Sequence, residues 1–195
     1  MNIPYLNCND TKLLLQVKKD LARHEGFREF AYADPLTPLY KKYAKLGKWG
    51  YAPARTFLSE ADLKKPETGA PWTYGYGFTK GVNVDSRIDR IKADRLLEEH
   101  ILEMDAVLKN LLYWFTDASF VTRVVLINMA FNLGVKGLLK FRNSLAFIKA
   151  KDYPKAATNL KLSLWYKQVG ARAVELVERI KTQTIAPQHA APEKV

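Results

Sequence analysis

The sequence predicts an α+β chain, mainly α, in which a small β-hairpin lobe and a larger helical lobe are joined by a long helix. Three observations predict it. Apolar residues recur at helical spacing over most of the 195 residues, both before residue 25 and after residue 85. A short stretch, Thr73-Tyr74-Gly75-Tyr76-Gly77-Phe78, alternates aromatic residues with glycine, as a strand or tight hairpin does. Residues 35–72 follow neither period.

The elements follow in order. Leu13, Leu14, Val17 and Leu21 lie on one helical face, so Thr11 to His24 reads as a helix, with Asp10 or Thr11 as N-cap and Gly26 as its stop. Phe30 to Ala33 is short, aromatic and strand-like, and it runs into the turn signal Asp34-Pro35. Residues 35–72 carry five of the nine prolines (Pro35, Pro38, Pro53, Pro66, Pro71). They have a charge of about +4, seven Lys and Arg against three Asp and Glu, interleaved with Tyr40, Tyr43, Trp49, Tyr51, Phe57 and Trp72. This segment reads as an extended surface lobe with a short helix near Ser59 to Lys64. Asp85-Ser86 is the expected cap of the long helix, whose apolar face is Ile88, Ile91, Leu97, Ile101, Met104 and Leu108. Asp117 is expected to open a strongly apolar helix through Phe131 that stops near Gly134, followed by helices over 143–149, from Pro154, and over 170–181. Residues 1–182 are expected to form a single domain with 35–72 inserted, and the polar stretch 183–195 a disordered tail.

Composition narrows the function classes. The single cysteine, Cys8, excludes an intramolecular disulfide and a Cys-based zinc cluster. The start, Met1-Asn2-Ile3-Pro4-Tyr5, shows no basic region followed by a long apolar run, so no ordinary signal peptide is expected. No apolar stretch is long enough to span a membrane, so no integral membrane segment is expected. A net charge of +11 and a pI near 9.6 attract polyanions. Charge alone leaves nucleic acid, anionic lipid and wall polymers all open. His24-Glu25 begins like a zincin motif, but Arg28 stands where the second ligand belongs. With three histidines, no Gly-x-Ser-x-Gly elbow and no dinucleotide fingerprint, neither a metal site nor a cofactor is expected.

Carboxylate chemistry remains. Glycoside hydrolysis needs an acid to protonate the leaving oxygen and a second group to guide water or act as nucleophile. A general acid is helped by apolar surroundings, which disfavour its charged form. Glu25 lies at a helix end among His24, Phe27, Phe30 and Tyr32, and Asp34 follows nine residues later. Alone, this pair is weak evidence and reads more readily as a capping Glu and a turn Asp.

The wider context is specific. Residues 24–34, His24-Glu25-Gly26-Phe27-Arg28-Glu29-Phe30-Ala31-Tyr32-Ala33-Asp34, followed by Thr73-Tyr74-Gly75-Tyr76-Gly77, resemble the catalytic segment of the phage lysozymes of glycoside hydrolase family 24, the T-even phage type. A second block agrees: residues 126–134, Phe141-x-Asn143-Ser144-Leu145, and Ser163-Leu164-Trp165-Tyr166 with Arg172 are similar to later segments of that family in order and spacing. The resemblance covers nearly all of 11–182 except 35–72. It implies a lysozyme-like fold and a muramidase acting on peptidoglycan glycan strands, with no cofactor. By the same resemblance Glu25 is the general acid, and Asp34 and Thr73 hold the attacking water for an inverting reaction. Arg172 pairs with Glu25 or orients it, Tyr32 supports the site, and Phe131, Asn132 and Asn143 line the saccharide cleft. Core packing is the main role expected of Phe131 and Trp165, which sit in apolar runs, and a plain helix-end role is the alternative for Asn132.

The chain departs from the family in three ways. About five residues usually separate the Asp from the Thr; here there are 38, Pro35 to Trp72. Loop length costs little, about 0.6 kcal/mol per doubling, so the flanking strands are expected to stay paired. Phe78 stands where many members have His. The basic insertion is expected to reach anionic envelope polymers, with a lid or spacer as the alternative. The expected role is a monomeric endolysin, made in a host cytoplasm and acting on the cell wall after holin-dependent release. A virion-attached lysozyme and a noncatalytic wall- or polyanion-binding protein on the same scaffold are the other readings; no nucleic acid partner is expected.

Overall fold

The computed structural model describes residues 8–185. Of the tail expected over 183–195, residues 186–195 lie outside the described residues, as do residues 1–7. The chain divides into two compact units, one comprising residues 18–100 and the other residues up to 17 together with those from 101 onward. The division falls within two helices, α1 (Cys8–Glu25) and α4 (Arg90–Leu111). No described helix is long and apolar enough to cross a membrane.

The unit of residues 18–100 is built on β1 (Arg28–Tyr32), antiparallel to β2 (Thr73–Gly75). Gly26 ends α1 with φ +66°, a conformation that favours glycine, and turns the chain straight into β1. After β2, Phe78 N–H bonds back to the Tyr74 carbonyl at 3.0 Å and Tyr74 N–H to that of Phe78 at 3.0 Å, closing the tight turn expected there. The insertion does not unpair the strands. Tyr32 stays opposite Thr73, and Asp34 N–H donates to the Gly69 carbonyl at 3.0 Å, so the long excursion is tied at its base.

The insertion is not the extended surface lobe expected from its lack of period. It folds into α2 (Pro38–Tyr43), α3 (Glu60–Leu63) and three single 3₁₀ turns. These elements are too short to show a hydrophobic period. α3 matches the short helix expected there, with the Ser59 hydroxyl as its cap. Leu39, Trp49, Ala54, Leu58 and Trp72 form a buried cluster with Ala31 and Ala33 of the first strand region and with Val84. Trp49 carries the cluster: it stacks on Tyr40 and meets Phe57 edge-on, with ring centroids 5.5 and 5.0 Å away. Its indole N–H donates to the Tyr40 carbonyl at 3.1 Å.

The expected cap of the long helix is drawn elsewhere. Asp85 is drawn into a bidentate pair with Arg55 of the insertion, and Asp89 caps α4 by accepting from Lys92 N–H at 2.8 Å. The residues between, Arg87 and Ile88, lie along β1, with Ile88 N–H donating to the Glu29 carbonyl at 2.9 Å. Ile91 is exposed, and Ala93 takes its place on the buried face ahead of Leu97.

In the other unit, α5 (Phe120–Leu133) is apolar on every side and buried from Val121 to Ala130 except at Arg123, as a central helix must be. Its cap is Ser119 rather than Asp117. It is followed by α6 (Val135–Leu138), α7 (Arg142–Lys149), α8 (Tyr153–Lys161), α9 (Leu164–Val169) and α10 (Ala171–Thr182). α10 packs against α5, α8 and α9, and α8 against α7. Gln183, assigned to the tail on polarity, instead closes α10. Its side-chain oxygen accepts from the Ser119 hydroxyl at 2.5 Å, and its side-chain nitrogen donates to the Ile180 carbonyl at 2.7 Å.

Candidate active site

Glu25 is the last residue of α1, and the Gly26 turn places the first strand residue, Arg28, three positions after it. Glu25, Arg28 and Tyr32 line a pocket of about 200 Å³. The remaining wall, Tyr40, Ala44, Gly47, Trp49 and Tyr51, comes entirely from the insertion. Sequence reasoning assigned these residues no part in the site. The signal available was the density of aromatics between the two halves of the motif.

The walls are fixed from behind. Phe30 N–H donates to the Gly50 carbonyl at 3.1 Å, fastening the Trp49–Tyr51 segment to β1. Gly50 (φ +78°) lets that segment lie on the side chain of Arg28: an added Cβ would stand 2.4 Å from Arg28 Cδ. The Arg28 guanidinium rests on the Tyr51 ring, 4.3 Å from its centroid. Burial pushes the Tyr32 phenol up; the Arg28 charge pulls it down, while Glu25 and Tyr40 push it further up. Tyr32 therefore stays a neutral donor and acceptor through the neutral range.

Asp34 and Thr73 flank the strand end but do not line this pocket. Thr73 is opposite Tyr32, and Asp34 lies two residues beyond that pair. One Asp34 carboxylate oxygen, Oδ1, accepts from Leu36 N–H at 2.7 Å in a local turn, and the Asp34 carbonyl accepts from the Thr37 hydroxyl at 2.6 Å. Asp34 is half-buried and Thr73 buried, and the Thr73 hydroxyl bonds to no described residue.

The other residues singled out from the sequence lie in the second unit. Within it, Arg172 is half-buried at the start of α10 and donates to the carbonyl and side-chain oxygens of buried Asn128, at 3.2 and 3.3 Å. Phe131 is half-buried near the end of α5, and Asn143 is exposed on the first turn of α7. Asn132, though exposed, accepts from the Trp165 indole N–H at 2.9 Å. Trp165 is a core residue, 5% exposed and edge-on to Phe141. Among the described residues no group of three or more His, Cys, Asp or Glu side chains gathers as a metal site would require.

Residues 58–183 match the family described as Phage lysozyme. The match includes Thr73, Phe131, Asn132, Asn143 and Arg172, while Glu25, Tyr32 and Asp34 precede it. Two proteins of Dictyostelium discoideum are similar. "Probable T4-type lysozyme 1" is 34% identical over 65 residues, 33% of this chain and 38% of the relative. "Probable T4-type lysozyme 2" is 33% identical over 63 residues, 32% of this chain and 37% of the relative. The chain thus spans less than two-fifths of the length of these relatives.

Proposed function

The chain belongs to the phage lysozyme family, and from that premise we propose that it is a glycoside hydrolase that cuts the β-1,4 bond between N-acetylmuramic acid and N-acetylglucosamine in bacterial peptidoglycan. The observation that carries this reading is Glu25: the one acidic residue lining the aromatic pocket of the strand unit is also the acid of the family motif. Glu25 is the general acid that protonates the leaving oxygen. Asp34 and Thr73 hold the attacking water. Asp34 has one carboxylate oxygen fixed by Leu36 N–H, which orients the other, and the Thr73 hydroxyl engages no described residue. Water delivered from the face opposite the acid gives inversion, with carboxyl groups about 6.5–9.5 Å apart. The family resemblance assigns a supporting role to Arg172 and saccharide binding to Phe131, Asn132 and Asn143. The Asn132 side-chain oxygen is held by the Trp165 indole N–H, which leaves its amide N–H groups to donate to a sugar.

The same proposal makes the protein an endolysin, synthesised in a host cytoplasm and released to the wall by a holin. The insertion adds an electrostatic hold on anionic envelope polymers. Lys42 pairs with Asp62 and Arg55 with Asp85, while Lys41, Lys45, Lys48, Lys64 and Lys65 are exposed and make no ion pair among the described residues.

Digestion of purified peptidoglycan tests the reading. New reducing ends on muramic acid, without new amino groups, establish a muramidase, and NMR of the first product anomer decides inversion. Binding without new ends sinks the enzyme reading and leaves a wall-binding scaffold.

A further inference from the structure

Beside the acid, the pocket holds a cation whose hydrogen-bonding capacity the protein does not use up. Arg28 is half-buried, donates one bond, from Nη1 to the Phe27 carbonyl at 3.2 Å, and makes no ion pair among the described residues. A guanidinium carries five N–H donors in a planar fork. Half-burying such a group without an ion pair or a full set of acceptors is unfavourable unless something else requires it. Here the fold holds it deliberately in place. Tyr51 lies under the guanidinium and Gly50 against its aliphatic stem, so the insertion sets its orientation before any ligand arrives. A fork held in this way matches a carboxylate better than any neutral group.

Size narrows the ligand further. The volume, about 200 Å³, is below the ~300 Å³ at which small-ligand sites usually begin. That space takes one substituent, not a run of glycan.

We propose that this pocket is a subsite for a carboxylate-bearing substituent of the substrate, with Arg28 as its anchor and Tyr40 and Tyr51 as its walls. The proposal rests on the peptidoglycan reading above. Muramic acid carries a lactyl carboxyl group, either free or continued into a stem peptide that has carboxylates of its own. Arg28 is then a specificity-determining residue and Tyr51 a positioning residue for it, both supplied or held by the segment that sets this chain apart.

The test measures KM and kcat for reducing-end formation on three soluble glycans. One retains its stem peptides, one is stripped to free lactyl carboxylates, and one is stripped and then converted to methyl amides. The unmodified protein should show a KM about tenfold lower on a carboxylate-bearing glycan than on the amide, the size of one charge-assisted hydrogen-bonded contact. Whichever acidic glycan has the lower KM identifies the carboxylate. Arg28→Gln should bring the KM values together, and Tyr51→Leu, a change at an exposed side chain, should narrow the gap part of the way. Equal KM on all three glycans, or a gap that survives both substitutions, overturns the subsite. Absence of new reducing ends on every glycan overturns the muramidase reading instead.

Discussion

Replacing Gly50 by alanine should destabilise the protein far more than the same change at Gly47, three residues earlier. Both glycines have positive φ, +78° and +64°, so either alanine meets roughly 1–2 kcal/mol of left-handed strain. Both also gain roughly 0.4–1 kcal/mol from a less flexible unfolded chain. At Gly47 nothing lies within 4 Å of the new Cβ, so the net cost is about 1 kcal/mol or less. At Gly50 the new methyl would stand 2.4 Å from Arg28 Cδ and 2.8 Å from its Cβ and Cγ. Arg28 Cβ is anchored to strand backbone, so relief requires the segment to move off β1. Overpacking of this kind costs roughly 1–3 kcal/mol, and the Phe30–Gly50 backbone bond is worth about 1 more. The expected total is roughly 3–4 kcal/mol. At about 2–4 °C per kcal/mol for a chain this long, Gly50→Ala lowers the thermal midpoint by about 10 °C and Gly47→Ala by about 3 °C or less. Thermal scans followed by far-UV circular dichroism, with tryptophan fluorescence reporting on Trp49 and Trp72, measure both. Equal midpoints for the two variants would refute the claim that the insertion is seated on Arg28.

Other predictions test separate parts of the account. The Tyr76 hydroxyl donates to Asp94 at 2.6 Å, and burial together with that carboxylate pushes its pKa up to about 12. Because the folded value is raised, the stabilisation is complete below pH 10 and is lost as pH rises from about 10 through 12. Tyr76→Phe should remove roughly 2 kcal/mol of this alkaline loss, read from urea midpoints across that range; an unchanged profile would contradict it. Arg123 Nη2 lies 3.1 Å from both Asp10 and Asp105, and among the described residues Lys109 is the cation left to neutralise the nearly buried Asp105 if the arginine is lost. Arg123→Leu should cost about 2–3 kcal/mol in urea unfolding, and adding Asp105→Leu should restore most of it; a neutral single variant would show that the network is only peripheral. Exchanging Lys41, Lys45, Lys48, Lys64 and Lys65 for glutamine should weaken binding to whole walls at low salt and flatten its salt dependence, while unchanged binding would reduce the insertion to a wall of the pocket.

The contrast between what was legible in the sequence and what was not follows interaction range. α1 showed its buried face, Leu13, Leu14, Val17 and Leu21, because eighteen residues give several turns of period. Gly26 and the Tyr74–Phe78 turn were readable because a glycine conformation and a two-residue alternation are local. The insertion was not readable: its helices run four to six residues, and Trp49 at 5% exposure looks in sequence like Tyr51, which is mostly exposed. The cap of α4 was misplaced because Asp85 answers to Arg55, 30 residues away, rather than to its own helix. In the site, Glu25 and Tyr32 came from one contiguous motif and meet in one pocket. The opposite wall came from residues whose only clue was composition, brought in by the backbone bond between Phe30 and Gly50.

The most direct test of the central claim is turnover of purified peptidoglycan by Glu25→Gln beside the unmodified chain, with thermal midpoints measured on both. Glutamine keeps the shape and hydrogen bonding of the side chain but cannot deliver a proton, so the account predicts a folded variant whose kcat falls by about 10²–10⁴. A folded Glu25→Gln protein that keeps more than about a tenth of the original kcat, well above that range, would contradict it and place the acid elsewhere.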